Sequence, residues 1–93
     1  MAQTVSLAPT VNDATSSNIV VAAGAEVVIG LYVATGQLSD AGQFEATVTQ
    51  VTPGAAVSVT KLSAATPSLV FKGPNTFAVV KPRTLVAVGV FSE

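Results

Sequence analysis

Cysteine, histidine and tryptophan are all missing from this chain, tyrosine occurs once, and charged residues make up only 10% of its 93 positions. Each absence excludes a chemistry. Without cysteine there are neither disulfides nor thiolate metal sites. Without histidine the commonest general base and the imidazole ligands are gone, so a serine triad cannot be assembled from this sequence. The acids are Asp13, Glu26, Asp40, Glu45 and Glu93. They are scattered over turns, the polar side of a strand and the chain end, which is not the convergent pair that carboxylate catalysis needs. Asp13 beside Asn12 and Asp40 beside Ser39 lack the closely repeated oxygens of a calcium loop and read as turn residues. Gly73, Pro74 and Asn75 lie between strands rather than before a helix, so they do not form a phosphate cradle. The sequence therefore predicts no catalytic residue, no metal, no cofactor and no small-molecule substrate.

Basic residues are equally sparse. Lys61, Lys72, Lys81 and Arg83 leave a formal net charge of -1. Gripping phosphates takes a clustered basic face, and here only Lys81 and Arg83 are close, reading as two solvated residues at a turn. No nucleic-acid partner is expected. The longest apolar run, IVVAAGAEVVIGLYVATG from Ile19 to Gly36, has Glu26 near its middle and no flanking Lys or Arg. A carboxylate at the centre of a spanning helix costs about 2.5 to 3.5 kcal/mol, so the run is expected to be two strands, with no membrane partner. MAQTVSLAP has no positive region before an apolar stretch, and no secretory signal is expected there.

What the chain does contain is valine, alanine and threonine, within a hydrophobic fraction of 49%. Val and Thr suit a pleated, half-buried surface, and a chain of this length supports one core. Turn signals recur about every ten residues, the spacing of a sandwich or barrel. The expected fold is all-β: a small antiparallel β-sandwich of about seven to eight strands, Ig-like or jelly-roll-like. Residues 1–16 are read as an amino-terminal arm or first strand and residues 17–93 as the sandwich domain.

Strands are expected over Gln3–Leu7, Ser17–Ala22, Glu26–Ala34, Gln43–Val51, Ala56–Leu62, Pro67–Lys72, Thr76–Val80 and Thr84–Phe91. In the third, Val27, Ile29, Leu31 and Val33 share one face. In the fourth, Phe44, Ala46 and Val48 alternate with Glu45, Thr47 and Thr49, one side buried and one wet. Thr52-Pro53-Gly54-Ala55 has the order of a type II turn and predicts a hairpin whose return strand points Val57 and Val59 inward.

The last strand, TLVAVGVF, is apolar on both sides: Leu85, Ala87 and Phe91 on one, Val86, Val88 and Val90 on the other. One face of a strand in a two-layer domain meets the core, so the second is expected to meet another chain, the alternative being a covering segment such as the amino-terminal stretch. Val86, Val88 and Val90 are the expected oligomer interface. VIGLY, from Val28 to Tyr32, and AVGVF, from Ala87 to Phe91, each place Gly two residues before an aromatic. Gly30 and Gly89 there are expected to mark bulges or close backbone approach.

The run from Ile19 onward, with IVVAAGAEVVIGLYVATG, VTQVTPGAAVSVTKL, FKGPNTFAVVKP and VAVGVFSE, resembles small virion proteins of tailed bacteriophages. The nearest role in that group is the capsid decoration, or cement, protein. The resemblance implies a homotrimer on the outer surface of the head that binds the major capsid protein and clamps neighbouring subunits. Burial logic assigns the capsid-contact arm to Thr4, Val5, Leu7 and Val11. The competing readings are a tail, neck or fibre adaptor in the same setting and a bacterial surface binding module.

Overall fold

The computed structural model describes residues 3–52 and 55–93, without the side chains of 52 and 55–58. Nine strands and one short 3-10 turn make up the described fold: β1 (Thr4–Thr10), β2 (Ala14–Thr15), β3 (Ile19–Val21), β4 (Glu26–Val33), β5 (Ala46–Thr52), β6 (Ala55–Leu62), β7 (Ser68–Lys72), β8 (Asn75–Lys81) and β9 (Val88–Ser92), with the 3-10 turn over Leu38–Ala41. The first sheet runs β1-β9-β4-β7 and the second β2-β8-β5-β6, with β3 also on β8. Because β2 and β3 lie end to end along β8, nine strands fill eight positions. Every pair is antiparallel.

The pairs nest about the connection between β5 and β6. β5 pairs with β6, β4 with β7, β3 and β2 with β8, and β1 with β9. This is one long hairpin rolled onto itself, the connectivity of a jelly roll rather than an immunoglobulin sandwich. Period-two alternation builds the core between the sheets. Ile29, Leu31, Phe71, Val88 and Val90 come from the first sheet, and Ile19, Val21, Ala46, Val48, Leu62, Phe77 and Val79 from the second, all buried. Phe71 and Phe77 meet across the layers with ring centroids 4.9 Å apart. Burying one such side chain stabilises the fold by roughly 1.5 to 3 kcal/mol, and the chain has no covalent cross-link to share the task.

The expected face of β4 is observed: Ile29 and Leu31 are buried, and Val27 and Val33 pack against them. The apolar run after Ile19 is two strands, β3 and β4, joined through Gly24 at φ 78°. Among the described residues no helix is long and apolar enough to cross a membrane. β5 buries Ala46 and Val48 as its alternation requires, and starts at Ala46 rather than at Gln43, so that Glu45 is exposed just before it. The β5–β6 hairpin is present, with Thr52 opposite Ala55. Its turn residues Pro53 and Gly54, and the side chain of Val57, lie outside the described residues.

Three expectations change. Val59 does not point inward; it is 47% exposed. Val48 pairs with Thr60 and Thr49 with Ser58, so a β-bulge leaves Val59 as the extra residue and hands the core-facing position to Thr60. The last strand begins at Val88 rather than Thr84. Residues 84–87 form a corner after Pro82, closed by the Thr84 hydroxyl donating to the Val86 carbonyl at 2.7 Å. Finally, of the two readings of the amino-terminal segment, residues 4–10 take that of a strand, paired in the first sheet and running three residues beyond the expected end at Leu7.

Candidate functional site

β9 carries Val88 and Val90, two of the three residues that the sequence assigned to an oligomer interface, and the fold uses them otherwise. Val88 and Val90 are 0% exposed, facing the second sheet inside their own chain. Val86 precedes the strand, half-buried against the same core. β9 is a central strand with β1 on one side and β4 on the other, so its core face is closed to a second chain.

The opposite face of β9 is filled from β4. Gly30 pairs with Phe91 and Tyr32 with Gly89, so each glycine faces the other strand's aromatic. A Cβ on Gly30 would lie 2.5 Å from the Phe91 ring, and one on Gly89 would lie 2.8 Å from the Tyr32 ring. Phe91 and Tyr32 meet edge to face at 6.2 Å. The repeated Gly-x-aromatic pattern is thus a reciprocal packing device in which an aromatic covers the bare backbone of a neighbouring glycine. This confirms the expected close approach.

These rings are the centre of the outer face of the first sheet. Val5 pairs with Phe91, and Val28 with Val70, all on that side. Val5 is 58% exposed and Val70 57%, while Val28, Tyr32 and Phe91 are half-buried. Glu26 opposite Lys72 closes one end of the patch with a pair of opposite charges. An apolar centre with a charged rim is the pattern of a protein contact surface. Of the expected arm residues, Val5 is exposed at this face's edge, Thr4 is exposed on the other side of the strand, Leu7 is half-buried against the core, and Val11 is exposed in the turn after β1.

Sequence reasoning missed Lys81. It is not a solvated turn residue; it is 0% exposed, on the inward side of β8 at the end of the core. Its ammonium donates to the carbonyl of Asn12 at 2.7 Å and to that of Pro82 at 2.8 Å. Burial lowers its pKa below the ordinary lysine value, and the nearby Asp13 carboxylate works against that shift. The Thr84 amide donates to Val11 at 3.0 Å in the same corner. Together these bonds clasp the turn after β1 to the corner before β9. Ser16 does similar work between β2 and β3: its hydroxyl accepts from the Val79 amide at 2.9 Å, filling a ladder position. Among the described residues no buried side-chain nitrogen or oxygen lacks a partner, and no cluster of three or more acidic, histidine or cysteine ligands occurs. Asp40 accepts from the Gln37 amide at 3.1 Å, a turn role.

No family model, no curated protein and no solved structure matches the chain.

Proposed function

We propose that this is a non-enzymatic structural protein of a tailed-bacteriophage virion, decorating the outer capsid surface by binding the major capsid protein across neighbouring subunits. The observation that carries the reading is the outer face of the first sheet, where exposed Val5 and Val70 flank a half-buried floor of Val28, Tyr32 and Phe91. Such a face suits a protein partner better than a small ligand, since it is apolar, rimmed by one opposite-charge pair, and without converging polar groups. The resemblance of the sequence to small phage virion proteins and the use of jelly rolls in viral coat domains support the same setting. A homotrimer follows from the resemblance alone, and Val88 and Val90 do not supply its interface.

The mechanism is linkage. A protein that binds the assembled shell and not its loose subunits stabilises the shell by RT ln(1 + [L]/Kd) per site, about 2.7 kcal/mol at 100-fold excess over Kd. Repetition over a lattice turns a modest site into a large total, and a trimer gains further from effective concentration. The test is a double variant, Val5→Glu with Val70→Glu, added to shells stripped of the protein. Both positions are exposed, so the circular dichroism spectrum stays unchanged while co-sedimentation with shells is lost. Undiminished co-sedimentation would overturn the assignment of this face. Hundreds of copies per particle in a micrograph reconstruction fit decoration, whereas six or twelve would move the protein to a tail or neck ring.

A further inference from the structure

β1 is held to its own domain in a way that a second copy of the chain can reproduce without loss. It pairs with β9, Thr4 opposite Ser92, Val5 opposite Phe91, Leu7 opposite Val90 and Thr10 opposite Val88, with the register slipping twice along the way. None of its side chains is buried; Thr4, Val5 and Ala8 are exposed, and Leu7 reaches the edge of the core. The Ser6 carbonyl accepts from the amide and the hydroxyl of Ser17, at 2.9 and 3.1 Å. The connection to the rest of the fold behaves differently. Residues 11–13 are anchored by the Lys81 ammonium on the Asn12 carbonyl and by the Thr84 amide on the Val11 carbonyl. A weakly buried terminal strand thus leaves from a three-residue turn that is itself clamped.

We propose that β1 is an exchangeable strand: two copies open at the 11–13 turn and each lays its β1 along the β9 of the other. Releasing β1 bares the edge of β9, a row of unpaired amides and carbonyls that requires another strand. The occupant is specified by what the edge demands. It must slip register twice, present a leucine where Leu7 sits, bring a carbonyl to Ser17, and pass close over Gly89, where the Leu7 carbonyl lies 2.7 Å from the place a Cβ would occupy. A second β1 meets all four conditions. Every pairing of β1 with β9 is then regained between copies, so the cost of exchange is confined to the turn, where opening breaks the bonds of Lys81 to Asn12 and of Thr84 to Val11. The exchange needs no capsid, so it stands or falls separately from the decoration reading.

The absence of cysteine permits a clean test. A chain carrying both Thr4→Cys and Ser92→Cys, refolded dilute and oxidised, closes a link within one chain, because these residues are cross-strand partners within disulfide range. Failure to close would show that β1 does not lie on β9 and would overturn the proposal. One chain bearing Thr4→Cys and a second, size-tagged chain bearing Ser92→Cys are then unfolded together, refolded at high concentration and oxidised. The expected product is a heterodimer whose peptide map joins position 4 to position 92. The two variants folded separately and mixed give none. If refolding together gives no more of this link than mixing afterwards, strand exchange does not occur.

Discussion

Strand β9 is held from its two sides in opposite ways. Toward β4 it makes five consecutive pairs, from Ile29 opposite Ser92 to Val33 opposite Val88, and that seam is filled by the reciprocal placement of Gly30 under Phe91 and Gly89 under Tyr32. Toward β1 seven residues are spread along five, with two slips and no buried side chain on the β1 side. A continuous ladder with interlocked side chains resists separation. A broken ladder with one half-buried leucine can part and re-form, so the same strand is both the rigid centre of a sheet and the dock for a removable edge.

The sharpest way to break this comparison is at the centre. Val88→Glu places an unpaired carboxylate at a fully buried position and is expected to cost about 4 to 5 kcal/mol, most of what a small domain has. Far-ultraviolet circular dichroism then reports an unfolded chain. A folded variant of altered oligomeric size would return Val88 to an interface and refute its place in the core.

A smaller pair of substitutions compares the two seams directly. Phe91→Ala removes the ring from Gly30 and from Tyr32 and is expected to destabilise by about 2 kcal/mol, against about 1 kcal/mol for Leu7→Ala at the loose edge. Denaturant midpoints measure both. Equal costs would mean that β1 is as firmly built in as β4.

The smallest effect concerns the clasp at the foot of β1. The folded pKa of Lys81 is lowered, so between that value and 10.5 the unfolded chain binds more protons than the native one. Stability from this group therefore rises with pH through that window and reaches its full value above 10.5. Thermal melts of Lys81→Met, compared with the parent over the same alkaline range, should lack this increment. Matching slopes would remove Lys81 from the clasp as a titrating group.

Local pattern carried much of this in the sequence. The alternation in β4 and β5 is visible because each buries one side, and the turn signals mark most connections. Register over long distances was not legible: nothing within Thr4–Thr10 names β9 as its partner, since the pairing is decided by the nested closure of everything between. The misreading of Val88 and Val90 has a related cause. An apolar residue on each side of a strand implies two covers, but the outer cover proved to be an aromatic from β4 lying on Gly89, which requires knowing that β4 is the neighbour. Lys81 was hidden because a lysine between Val80 and Pro82 resembles any surface cation until two carbonyls converge on it. Thr60 displaced Val59 from the inner face through a single inserted residue, which alternation alone does not reveal.

The rolled-hairpin connectivity also sets an order in time. During synthesis β1 leaves the ribosome ahead of the other eight described strands, yet its mate β9 emerges after all of them, while the innermost pair, β5 and β6, can close as soon as their turn is out. Of these nine strands, the earliest made is thus the one left waiting longest.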